Sequence, residues 1–153
     1  MKGKYLPKTN EIVLSEAEVS KGCVTVFKLY AWAIHVQRNN VGGFTDPYGH
    51  KVHFGVRGQC DFMGMFRNYG GPWDGKMFGL EIKRGDFNPA RISGVKNKEH
   101  WARQMATMIN INESGGVAFW VRDSTQLSMV LPKILAGAKI VFDTDGFPYL
   151  DLR

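Results

Sequence analysis

Residues 77–83 read Met77-Phe78-Gly79-Leu80-Glu81-Ile82-Lys83, an apolar run with one carboxylate inside it and one ammonium at its end. Bounded by Asp74-Gly75 on one side and Gly85 on the other, the run predicts a strand central in its sheet. Side chains alternate across a strand, so Glu81 and Lys83 share one face while Ile82 points to the other and anchors in the core. An ionised carboxylate in such a place is costly unless a cation, a metal or a set of hydrogen bonds accompanies it.

Upstream, Asp61 heads a second apolar stretch, Gly58-Gln59-Cys60-Asp61-Phe62-Met63-Gly64-Met65. The segment between the two, residues 67–76, holds Gly70-Gly71-Pro72 and Asp74-Gly75, so a hairpin is its natural role. Antiparallel pairing then brings Asp61, Glu81 and Lys83 to one end of the sheet. Spacing alone leaves two readings open. Either the three form an acid-acid-lysine cluster that does chemistry, or Glu81 and Lys83 are an ion pair at a sheet edge and Asp61 caps a turn. The neighbourhood favours chemistry: Lys83, Arg84, Arg91, Lys96, Lys98 and Arg103 are opposed only by Asp86 and Glu99. A basic ridge beside paired carboxylates is what a phosphodiester-cutting metal site requires.

The remaining pattern predicts the rest of the fold. Ser15 with Glu18 fits a capping box, and Val19, Cys23, Val26, Phe27 and Tyr30 mark one face of a helix over about 16–31. Trp32, Ile34 and Val36 alternate as in a half-buried strand. Asn39-Asn40 and Gly42-Gly43 open a long polar loop that ends near His50, and residues 51–57 read as a short extended piece. After a loop over 84–96, Trp101, Met105, Met108 and Ile109 mark a second helix that stops at Gly115-Gly116. Val117–Val121 reads as a buried strand, and Asp123 or Ser124 caps a last helix faced by Leu127, Val130, Leu131 and Ile134, which Pro132 is expected to kink or interrupt. The tail pairs KIVFDT with FPYLDL around Asp145-Gly146, a two-residue hairpin signal. The order predicts an α/β fold, α-β-β-β-α-β with a further helix and a C-terminal hairpin, around a mixed sheet.

Composition bounds the function. With 153 residues, 44% of them hydrophobic, the chain can bury a full core as one domain without metal or disulfide staples. Two cysteines and no Cys/His array argue against a disulfide scaffold or zinc finger and for a reducing compartment. No apolar run approaches the ~20 residues of a membrane span, and the basic start MKGKYLPK leads into polar TNE rather than a signal-peptide core, so the cytoplasm is expected. The net charge of +6 points to a polyanionic partner. Several motifs fail. Gly70, Gly75 and Lys76 spell G-x-x-x-x-G-K, but Met77 follows in place of Ser or Thr and a strand in place of a helix. His50 and His53 have no third ligand nearby, and no G-x-S-x-G elbow exists.

Asp61, then Glu81-Ile82-Lys83, between a helix with an acidic first turn and a helix containing Gln104, resembles the PD-(D/E)XK nuclease superfamily. More narrowly it resembles the VRR-NUC family, the virus-type replication-repair nucleases, in the stand-alone form carried by bacteriophages. The likeness covers about residues 15–135. Ser15-Glu16-Ala17-Glu18-Val19 is similar to the family's opening helix, and Gln37-Arg38-Asn39-Asn40 with Gly42-Gly43 to its next strand and glycine-rich loop. Gly58-Gln59-Cys60-Asp61 is similar to its aspartate signature, Leu80-Glu81-Ile82-Lys83 to its E-x-K, and Gln104 with Gly115-Gly116 to its glutamine helix and closing glycines. Cys60 stands where the family has a proline, Ser20 where it has a glutamine, and residues 137–153 have no counterpart.

The resemblance implies a restriction-endonuclease-like core and a metal-dependent endonuclease acting on DNA. Asp61, Glu81 and the backbone carbonyl of Ile82 are then the ligands of Mg²⁺ or Mn²⁺, and Lys83 and Gln104 complete the catalytic set. Glu16 is either an outer or second-metal contact of the site or an acidic residue favoured by the helix dipole, while Glu18 is the capping partner of Ser15. Arg84, Arg91, Lys96, Lys98 and Arg103 are expected to bind the DNA backbone. The stand-alone relatives imply a homodimer that cuts four-way junctions. A restriction-type, flap or nonspecific nuclease and a non-catalytic DNA-binding module are the alternatives.

Overall fold

The computed structural model describes residues 12–40, 42–54 and 58–152; the basic start, residues 55–57 of the expected extended piece and Arg153 lie outside them. The capping box forms as the sequence predicts. Glu18 N–H bonds the Ser15 hydroxyl, and the Glu18 carboxylate accepts the Ser15 N–H at 2.8 Å. It opens α1 (Glu16–Leu29), which buries Val19, Cys23, Val26 and Phe27. The chain then turns and enters β1 (Ile34–Arg38). Trp32 is not on that strand; it lies in the turn, 62% exposed, and Ala33 is buried in its place.

The expected polar loop after β1 contains a strand, β2 (Gly42–Thr45), and the expected short extended piece forms β3 (Lys51–Phe54); among the described residues the two pair only with each other. The central sheet continues with β4 (Phe62–Phe66) and β5 (Met77–Ile82), paired antiparallel with Phe62 opposite Leu80. The 3₁₀ turn Pro89–Arg91 and α2 (Val95–Glu113) then carry the chain across the sheet to β6 (Val117–Val121). β6 lies parallel to β5, an arrangement that needs such a crossover. The sheet order is β1-β4-β5-β6. Among the described residues the architecture is α/β, a mixed central sheet of four strands with three α-helices, as the element order predicts.

Alternation on β5 divides the core in two. Phe78, Leu80 and Ile82 join Phe62, Phe66, Phe119 and Val121 against α1 and α3 (Ser124–Leu135). The edge-to-face contacts of Phe78 with Phe27, Phe66 and Phe119 lock this side. The other face carries Cys60, Ala118 and Trp120 against Met108 and Ile111 of α2. Gly79 is required there, because a Cβ would fall 2.9 Å from the Cys60 sulfur. Glu81 is the next residue on that same face.

Three further expectations are corrected. The buried face of α2 is Gln104, Met108 and Ile111, while Ile109 is 37% exposed; a purely apolar count passes over the glutamine that holds the register. α3 runs unbroken through Pro132. The proline sits in the last turn, and the carbonyl it leaves without an amide belongs to the exposed Ser128. The tail hairpin, β7 (Lys139–Phe142) with β8 (Pro148–Asp151), has a connection over 143–147 rather than a two-residue turn. The Asp143 carboxylate organises it by accepting the N–H groups of Asp145 and Phe147. This hairpin forms its own small sheet and packs on the core: Ile140 enters the α1/α3 side, and Trp120 Nε1 donates to the Gly146 carbonyl at 2.8 Å. Among the described residues no helix is long and apolar enough to cross a membrane.

Candidate active site

The ladder between β4 and β5 ends at Phe62 and Leu80. Beyond it, the Asp61 carboxylate accepts the Ile82 N–H at 2.8 Å, so a side chain takes over from the backbone at the point where the sheet opens. Asp61 is itself tied to β1, its carbonyl accepting the Asn39 N–H at 2.7 Å. Lys83 follows the end of β5 and still bonds across to β6, its N–H reaching the Val121 carbonyl at 2.9 Å. With Ile82 buried in the core between them, Glu81 and Lys83 both lie toward α2, as the alternation requires.

Gln104 joins the two. Its side-chain oxygen accepts from the Lys83 ammonium at 2.6 Å, and its amide nitrogen donates to Glu81 Oε1 at 2.5 Å. The direct Lys83 to Glu81 separation is longer, 3.9 Å. Glu81 is 4% exposed, Lys83 8% and Gln104 7%, so three polar side chains are satisfied by one another in a nearly dry place. Two rings complete the surroundings of the lysine. Its ammonium stands 5.0 Å from the Phe87 ring centre and 5.3 Å from that of Trp101, within cation–π range. Phe87, Trp101 and Trp120 in turn meet edge to face.

Burial above all, and then the negative charge of Asp61, push Glu81 up to about 9, against the pull of Lys83. A hydrogen bond with the Asp61 carboxyl and the charge of Glu16 act in the same upward direction. The charged form of Glu81 is thus disfavoured in its surroundings, and a bound cation would favour it. The donors suit a hard divalent ion, since both side chains offer oxygen and Cys60 beside them is kept a neutral thiol, pushed up to about 12 by burial and by the two acids. Among the described residues no group of three or more His, Cys, Asp and Glu side chains is arranged to hold a metal ion. Magnesium is commonly held by one or two carboxylates, its other positions filled by water and phosphate oxygens, so the two acids fit such an ion.

A cleft of about 610 Å³ opens at the Lys83–Gln104 side of the cluster, lined among others by Glu16, Lys83, Asn88, Arg91, His100, Trp101 and Gln104, with Asp61 and Glu81 outside its lining. Glu16, exposed at the start of α1, is thus on its rim, while Glu18 is spent on the capping box. Of the expected basic residues, Arg91 lines the cleft. Arg84 is exposed and paired with Asp86 at 3.3 Å. Lys96, Lys98 and Arg103 are exposed on α2, and helical geometry sets Lys96 and Arg103 on one flank and Lys98 on the other, so they do not form one ridge. Phe87 and Trp101 were not among the expected site residues. Trp101 lies three residues before Gln104, on the same side of α2, which is the one sequence signal for it.

The failed motifs look as predicted. Gly70 and Gly75 occupy left-handed turns between β4 and β5, and the strand that follows provides no helix N-terminus for a phosphate. His50 is bonded to Asp46 at 3.0 Å. Comparison with models of protein families, with curated proteins and with solved structures finds no match to this chain.

Proposed function

We propose that the chain is a metal-dependent DNA endonuclease with a restriction-endonuclease-like core, as its resemblance to the VRR-NUC family implies. The observation that carries this reading is the set of half-buried Asp61 with buried Glu81, Lys83 and Gln104 at the open end of the central strands. Two acids pressed together at the expense of the ionised state of one are poor structural elements and good cation ligands.

In this reading Asp61, Glu81 and the Ile82 backbone carbonyl hold Mg²⁺ or Mn²⁺. When bound, such an ion lowers the proton affinity of a water and offsets charge on the phosphate. The chain's own residues do the positioning. Lys83 orients the attacking water and neutralises charge developing on the phosphate, and Gln104 with the Phe87 and Trp101 rings keeps its ammonium in one place. Arg91 engages the backbone of the bound strand from the cleft wall, and Glu16 acts from the rim as an outer contact. The substrate is branched DNA, such as a four-way junction. One site cuts one strand, so paired cuts across a junction call for a symmetric dimer.

The test is a panel of labelled flaps, forks, four-way junctions and linear duplexes incubated with Mg²⁺ or Mn²⁺. Cleavage of branched forms that stops on chelation and is lost in Asp61→Asn and Glu81→Gln supports the reading. Absence of cleavage on every substrate, or cleavage unchanged in both variants, contradicts it. Light scattering with a paired-nick assay checks the dimer: a monomer that nicks one arm leaves a flap or nonspecific nuclease.

A further inference from the structure

The two-stranded ribbon β2–β3 is an insertion between two neighbouring strands of the central sheet, and it pairs with nothing but itself among the described residues. Both of its roots reach the candidate site. On one side Asn39 donates to the carbonyl of Asp61 at 2.7 Å. On the other the carbonyl of Gly58 accepts the Thr107 hydroxyl at 2.6 Å, and Thr107 lies one helical turn beyond Gln104. At about 3.3 Å per residue, the four residues of β2 carry the tip about 13 Å from its root.

The tip is built to hold a ring in solvent. Asp46 Oδ1 accepts the N–H groups of Tyr48 and His50 at 2.9 and 2.8 Å, and Oδ2 meets the His50 ring at 3.0 Å. The backbone bonds Asp46 N–H to His50 carbonyl and Gly49 N–H to Asp46 carbonyl close the turn. On this fixed turn Tyr48 is 85% exposed. Charge along the segment is complementary to a polyanion: between residues 38 and 58 the sequence has Arg38, Lys51 and Arg57 with two histidines against a single carboxylate, Asp46, which the turn has already engaged. Lys51 and His53 are exposed on β3.

We propose that this ribbon is a substrate arm for branched DNA, in which Tyr48 stacks on an unpaired base beside the branch while Lys51 and Arg38 meet the backbone. A flat, rigidly presented aromatic ring recognises any base that has lost its neighbour and gains nothing on an intact duplex, where the bases are already stacked. The arm thus supplies preference for structure rather than sequence. It rests on the nuclease reading and adds to it the element that selects the substrate.

The experiment is fluorescence anisotropy without divalent metal, on a fork with two single-stranded arms and on a linear duplex of equal length, with 2-aminopurine at the branch as a second probe. Tyr48→Ala is expected to weaken fork binding about tenfold, to leave duplex binding within about twofold, and to remove the quenching of 2-aminopurine. Tyr48→Phe, which keeps the ring, is expected to retain all three. Fork binding and quenching unchanged in Tyr48→Ala overturn the arm alone, as does an equal loss on fork and duplex, or a change of oligomeric state in place of a change in DNA binding. A wild-type protein that binds neither DNA overturns the nuclease reading as well.

Discussion

The Lys83 ammonium lies 2.6 Å from the side-chain oxygen of Gln104 and 3.9 Å from the carboxylate of Glu81. The lysine is therefore held by a neutral amide, which uses its other end to hold the acid. An amide in this place bridges the ammonium and the carboxyl group and fixes the position of both.

Gln104→Leu is expected to leave Lys83 and Glu81 each short of a buried hydrogen bond. The loss should be about 1–3 kcal/mol of stability and, by misplacing the lysine, about 10- to 100-fold in single-turnover cleavage. Gln104→Glu should not rescue it, since a third acid cannot donate to Glu81 when ionised. Thermal melts and cleavage rates on one labelled junction check both.

Trp101→Leu and Phe87→Leu remove the rings beside the ammonium while leaving its hydrogen bond. At about 0.5–2 kcal/mol per cation–π contact, each should slow the chemical step roughly 3- to 30-fold with KM little changed. Trp101→Phe should recover part of the rate. An equal fall in kcat and rise in KM would assign the rings to substrate binding instead.

Glu81 sets a pH dependence of stability in chelator. Its folded value, about 9, lies above the ordinary carboxylate value of 4.5, so the native state binds the proton more tightly than the unfolded chain. Its stabilising contribution is full below pH 4.5 and is lost as pH rises toward 9. Tm of the metal-free protein should carry a downward component over that window that Glu81→Gln removes. Adding Mn²⁺ at pH 8 should raise the wild-type Tm and leave Glu81→Gln nearly unmoved.

DNA affinity should fall steeply with salt. Arg91→Ala, on the cleft wall, is expected to reduce the log-log slope by about 0.9, the value for one phosphate contact. Arg84→Ala should change it less, because Asp86 already engages that guanidinium. Binding isotherms at four salt concentrations separate the two.

The sequence shows the centre of this molecule well and its periphery poorly, for physical reasons. The period-two pattern of Leu80-Glu81-Ile82-Lys83 dictates which side chains share a face, and the turn-rich 67–76 segment dictates the antiparallel partner, so the meeting of Asp61 and Glu81 follows from local rules. Gln104 was legible through resemblance, because a glutamine inside an apolar helical face carries no periodic signal of its own. The ring contacts of Lys83 join a loop residue, Phe87, to a helix residue, Trp101, and exist only in the folded chain. Of the β2–β3 ribbon the sequence shows β3 as a short extended piece, while β2 is hidden by Gly42-Gly43, which supply neither alternation nor side chains to pack. Continuity of α3 through Pro132 depends on an exposed carbonyl that the sequence does not mark.

The central claim is that Lys83, between Gln104 and two aromatic rings, serves phosphodiester cleavage rather than packing. Its most direct test is the single-turnover rate of Lys83→Ala against wild type on one labelled four-way junction with Mn²⁺, with circular dichroism to confirm that the variant folds. The account predicts a folded protein whose cleavage falls by about a hundredfold or more. A folded Lys83→Ala that cuts at the wild-type rate would contradict it.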